Sequence, residues 1–170
     1  MNARPVLLSL GMVMLGVLAQ TTLFGDGRIQ PFGSSPLLVT VIVIACVRYL
    51  DPEPALLLGF TAGLLLDLLG GSPLGLWAMV NTVIAYLTLR FRSRADEGPT
   101  VVAAGVFLLT LLAQVLFLLA GSLFGQRLSA TDGIVKQIVL PAVYSVLVAA
   151  AVMPLATWLL RDRTVRTWRP

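Results

Sequence analysis

Charged residues are sparse and bunched along this chain, and residues 5–25, 29–47, 68–89, 98–126 and 137–160 carry no Asp, Glu, Lys or Arg. A bilayer core takes about 20 apolar residues of α-helix, so each stretch can supply a spanning helix. Turn formers set the divisions between them. A first helix is expected over 5–24, polar at its far end through Gln20, Thr21 and Thr22, and stopped by Gly25-Asp26-Gly27-Arg28. It is too long for the apolar core of a secretory signal and precedes no small-residue cleavage site, so it is read as retained. Ser35 and Pro36 carry an N-cap and first-turn signal for a second helix reaching Leu50. At about 15 residues, or ~23 Å, that helix must thin the bilayer or sit partly inside protein.

Asp51-Pro52-Glu53-Pro54 is expected to break the chain before a third helix over 55–69. Gly70-Gly71 ends it, and Ser72-Pro73 repeats the start signal for a fourth helix over 74–91, the two forming a tight hairpin. Whether the hairpin spans fully or re-enters stays open. A hydrophilic loop from Arg90 to Glu97 leads to a fifth helix over 100–124. A polar loop then leads to a sixth over 137–160, with Pro141 and Pro154 as expected kinks.

Composition agrees with this division. Of the 170 residues, 58% are hydrophobic and 12% charged, against roughly a quarter charged in soluble domains. That excludes a soluble enzyme and a disordered chain alike. The expected fold is an all-α integral membrane protein with six transmembrane helices, several of them short, forming one membrane domain over 1–170 that includes a basic tail, 161–170. With six spans, Arg4, Arg48, Arg90, Arg92, Arg94, Arg161, Arg163, Arg166 and Arg169 share one face, against Arg28, Arg127 and Lys136 on the other. The excess of positive charge predicts that both termini are cytoplasmic. The tail is read as an orientation signal attracted to anionic lipid; nucleic acid is not an expected partner.

Candidate chemistry is thin. There is no histidine, and the one cysteine, Cys46, sits in an apolar run and reads as a packing residue, so neither disulfide nor metal nor cofactor is expected. Asp67 is the one ionisable residue inside an apolar helix, which makes it a functional hypothesis by default. It follows Gly63 by four residues and Gly59 by eight, so all three share a face, and Gly59-x-x-x-Gly63 permits close helix approach. Three roles stay open for Asp67: capping the fourth helix or bonding between helices, contacting a partner, or holding a proton or ion. Gln20, Gln114 and Tyr144, with Gln137 and Ser145, are expected to make interhelical hydrogen bonds rather than bind substrate. Without a base for any nucleophile or a second carboxylate beside Asp67, catalysis has little support. The glycine-rich run from Gly70 to Gly75 lacks the Lys-Ser/Thr ending of a phosphate loop.

The run Gly59-Phe60-Thr61-Ala62-Gly63-Leu64-Leu65-Leu66-Asp67, followed by Gly70, Pro73, Leu74-Gly75-Leu76 and Ala78, resembles the signature of the MreD family of bacterial rod shape-determining membrane proteins. Gln20-Thr21 late in the first helix and Pro36 opening the second are similar to that family too, while Leu37 departs from the acidic or amide residue it favours after the proline. The resemblance implies a noncatalytic scaffold subunit of the elongasome, which inserts side-wall peptidoglycan. It would bind the transmembrane helix of MreC in the inner membrane and act indirectly with MreB, RodA and its class B penicillin-binding transpeptidase. It also implies a six-helix fold similar to the S components of energy-coupling-factor transporters. A true vitamin-binding S component is the alternative reading. Gly59, Phe60, Gly63, Asp67, Gly70, Gly71, Pro73 and Gly75 are the expected packing or partner-contact residues.

Overall fold

The computed structural model describes residues 3–23, 37–70, 73–92, 98–123 and 134–160. These residues form six α-helices: α1 (Ala3–Leu23), α2 (Leu38–Val47), α3 (Pro52–Gly70), α4 (Leu76–Phe91), α5 (Pro99–Leu123) and α6 (Ile134–Leu160). α1, α3, α5 and α6 each contain a stretch long and apolar enough to cross a membrane, whereas α2 and α4 are shorter apolar helices. Phe24, Pro36, Ser72, Phe124 and the basic stretch 161–170 lie outside the described residues.

Helix directions follow from side-chain pairings. Leu37 meets Ser145 and Arg48 meets Met153, so α2 and α6 run the same way. Thr40 meets Asn81 and Arg92 meets Leu50, which aligns α4 with both. α1 runs against α2, with Gln20 on Val39 and Met12 beside Cys46. α3 and α4 are antiparallel and share the most extensive contact of any pair.

α2 lies at the centre. Its ten residues, LVTVIVIACV, rise only ~15 Å, about half a hydrocarbon core. The sequence has no polar stripe, and a helix apolar all round belongs inside protein. Every residue from Val39 to Val47 is buried, and α2 touches all five other helices. Its run of β-branched residues is poor in intrinsic helix propensity, so tertiary packing holds the helix. This is how the chain accommodates an element too short to span: neighbouring helices replace lipid around it.

The residues at both ends of α2, Leu37, Val47 and Leu50, are buried, and their backbone groups need protein partners. Leu37 occupies the N-cap position and offers no side-chain acceptor. Two other helices supply what it lacks. The Gln20 Oε1 of α1 accepts the Val39 N–H at 2.9 Å. The Ser145 hydroxyl of α6 accepts the Leu37 N–H at 3.1 Å while donating to the Pro141 carbonyl at 2.7 Å. An acidic or amide residue at 37 could cap α2 locally; with Leu37 the cap comes from a distance. At the other end Tyr49 and Leu50 donate to the Cys46 and Val47 carbonyls at 3.0 and 3.3 Å, a tightened i to i+3 turn. Arg92 donates to the Leu50 carbonyl at 3.2 Å. Gln20→Ala leaves the buried Val39 N–H unmatched, so the purified protein should lose about 1–3 kcal/mol of stability. Gln20→Glu should lose less, and thermal unfolding in detergent reads the difference.

Several helix ends differ from the sequence expectation. α3 begins at Pro52 rather than 55, with Ala55 donating to the Asp51 carbonyl at 3.0 Å. Both prolines fall in the first turn, where their missing N–H groups have no intrahelical role. They start the helix instead of delaying it. α4 begins at Leu76 rather than 74, because Gly75 takes a left-handed φ of 95° and Pro73 closes a turn to Leu76 instead of entering the helix. α2 ends as an α-helix at Val47, short of Leu50.

Candidate functional site

The α3–α4 hairpin gathers most of the residues singled out in the sequence. Gly59, Gly63 and Asp67 lie one turn apart on the face of α3 that meets α4, and all three are buried. A Cβ on Gly59 would come 2.7 Å from the Asn81 carbonyl oxygen and 2.9 Å from the Ala85 Cβ. A Cβ on Gly63 would collide with the Trp77 carbonyl and the Ala78 Cα. The two helices thus approach backbone to backbone, which small residues alone permit.

One turn further on, the spacing between helices is filled by a carboxylate. The Asp67 Oδ2 accepts N–H groups from Gly75 at 2.9 Å and Ala78 at 3.2 Å, and its Oδ1 accepts the Trp77 N–H at 3.1 Å. Gly75 is the N-cap residue of α4 and has no capping side chain. Asp67 therefore caps α4 from the neighbouring helix, at the end where the helix dipole favours negative charge. The residue is only 3% exposed. The local logic is compact: glycines bring α3 against α4, and the carboxylate carried at the next turn meets the first amides.

The hairpin is tied to the rest of the bundle through α4. Thr40 of α2 donates to the Asn81 Oδ1 at 3.0 Å, with both residues fully buried. Trp77 stacks on Phe117 of α5 with ring centroids 4.4 Å apart and planes 24° from parallel. The Asn81 Nδ2 and the Ser9 hydroxyl are buried without a hydrogen-bond partner among the described residues. The sequence alone does not single out Asn81 and Thr40; an amide in an otherwise apolar helix is the available signal.

The remaining expected residues are more dispersed. Phe60 faces outward, 47% exposed, in line with Leu57 and Leu68. Gly70 is exposed, and among the described residues nothing approaches its Cβ position. Pro73 and Gly75 form the entry to α4, where Gly75 needs its glycine for the positive φ rather than for space. Gly71 lies outside the described residues. Gln20 belongs to the α2 cap, far along the chain from the hairpin. Gln114 is half-buried on α5 and Tyr144 half-buried on α6; neither is part of the hairpin.

No curated protein and no solved structure matches the chain. The family described as rod shape-determining protein MreD matches residues 4–163, a range that contains the hairpin, the buried α2 and the caps at both. The chain belongs to this MreD family of membrane proteins, and its role lies in rod shape determination.

Proposed function

We propose that the protein is a noncatalytic membrane scaffold of the elongasome, binding the transmembrane helix of MreC and acting through it with MreB, RodA and the class B penicillin-binding transpeptidase. Family membership supports the system. The observation that carries the scaffold reading is the state of Asp67: its carboxylate is engaged by three backbone N–H groups at a helix start. A group so committed fixes a turn, and its bonds leave little capacity for an ion or a reacting proton.

The outward side of the same hairpin offers a rigid apolar surface, with Leu57, Phe60 and Leu68 on α3 and Met79, Val83 and Tyr86 on α4 exposed. We take this surface as the one presented to the MreC helix, since a backbone-packed hairpin holds its outer residues in fixed positions. We place the chain in the bacterial inner membrane as a single domain with both termini cytoplasmic. This placement follows the arginine excess, with the basic tail drawn to anionic lipid. In fold, we take the bundle to be similar to an energy-coupling-factor S component, on its six helices and buried short α2.

Detergent co-purification of the tagged protein from its own host, with mass spectrometry of proteins and small molecules, tests the function. Recovery of MreC, with or without RodA and the transpeptidase, is the expected result. Recovery of a transport motor together with a stoichiometric vitamin would overturn it in favour of an S component.

A further inference from the structure

At the end of the bundle where α2, α4 and α6 finish and α5 begins, the four helices leave a groove of about 380 Å³. Its walls are almost entirely aliphatic and aromatic, but two guanidinium groups, Arg48 and Arg92, also line it. Arg48 is half-buried. Among the described residues Arg48 reaches the Met153 sulfur at 3.8 Å and Arg92 the Leu50 carbonyl at 3.2 Å, and neither meets a carboxylate. A thioether is a weak acceptor, and each guanidinium carries five N–H donors. Among the described residues, most of that donor capacity and both positive charges are left for an anion.

The shape of the groove narrows the choice of anion. Along α5 it extends from Val101 to Leu112, ~17 Å at 1.5 Å per residue. That is close to one leaflet, about half of a ~30 Å hydrocarbon core. A transmembrane helix laid on this groove would continue past it into the other leaflet. An acyl chain with a phosphate at one end fits the length, the apolar walls and the charge together.

We propose that this groove binds one anionic phospholipid of the adjacent leaflet, its phosphate taken by Arg48 and Arg92 and an acyl chain lying along α5 past Gly105. Such a lipid would fill the space between α2, α4, α5 and α6 whichever proteins the chain assembles with. It differs from the diffuse attraction of the basic tail in having a fixed stoichiometry and a groove that can be blocked. Gly105 gives the means. Among the described residues nothing lies within 4 Å of a Cβ placed on it, so Gly105→Leu projects its side chain into the groove without displacing described backbone.

Native mass spectrometry of the purified full-length protein, titrated with phosphatidylglycerol or phosphatidylcholine of identical acyl chains, tests the site. The expected result is one phosphatidylglycerol retained about tenfold more tightly than phosphatidylcholine, the scale of charge-assisted bonds to the phosphate and headgroup field. The Arg48→Gln/Arg92→Gln pair should erase the headgroup preference. Gly105→Leu should lose the retained lipid of either kind at unchanged thermal stability. Equal retention of the two lipids by the unaltered protein would overturn the proposal, as would undiminished retention by Gly105→Leu. A photo-crosslinker at position 105 that captures a protein instead of a lipid in native membranes would overturn it too. Because the headgroup comparison and Gly105→Leu stand alone, the result does not hinge on the double arginine variant folding.

Discussion

Gly63→Leu should separate α3 from α4 and abolish rod-shape support by the protein. The Cβ alone would collide with the Trp77 carbonyl and the Ala78 Cα, and backbone cannot rotate away as a side chain can. Overpacking in a core ordinarily costs about 1–3 kcal/mol, and here the larger end applies because two helices must move as units. Separation also pulls Asp67 from the α4 amides that it holds at 2.9 to 3.2 Å. A fall of roughly 5–10 °C in Tm is expected for a chain of this size. Gly70→Leu is the matched control, since among the described residues nothing lies within 4 Å of its Cβ position. In cells depleted of the native protein, the Gly63 variant should leave rounded cells and the Gly70 variant rods. If Gly63→Leu keeps both the melting temperature and the rods, close backbone packing is not what the hairpin contributes.

The hairpin was legible because its determinants are local. Gly59, Gly63 and Asp67 repeat at four-residue spacing, and Asp67 lies 8 and 10 residues before the Gly75 and Trp77 amides that it binds. Helical periodicity alone puts such residues on one face near one turn. The same reading exposed the difficulty of α2, an apolar segment too short to span, without revealing its solution. That solution depends on Gln20 and Ser145, which stand 19 and 108 residues from the backbone groups they cap. No spacing rule links partners at such separations. Proline moves the start of α3, since the same residue stops one helix and opens the next, and Pro52 and Pro54 do the second. At α4 the Ser72-Pro73 signal pointed two residues early, because the left-handed φ of Gly75 delays the helix. The groove escaped sequence reading for a similar reason: it is assembled from four helices and belongs to none of them.

Asp67→Leu should be the second severe variant, and its comparison with Asp67→Asn separates hydrogen bonding from charge. Leucine is bulkier than aspartate but suits an apolar site, and it leaves the N–H groups of Gly75, Trp77 and Ala78 without their acceptor. Each unmatched buried donor costs about 1–3 kcal/mol, and a membrane interior offers no water to soften that. A loss of about 3 kcal/mol or more follows from the three together, read as detergent unfolding at lower temperature and loss of rod shape. Asparagine keeps one carbonyl oxygen but turns an NH₂ group toward backbone N–H groups that both carboxylate oxygens now face. It should therefore retain part of the cap and rank between aspartate and leucine. A proton or ion site behaves otherwise, since Asn and Leu both lack the titrating carboxyl and should fail equally. Equal failure of the two in cell shape, with the Asn protein as stable as the original in detergent, would assign Asp67 a charge-dependent role beyond the cap.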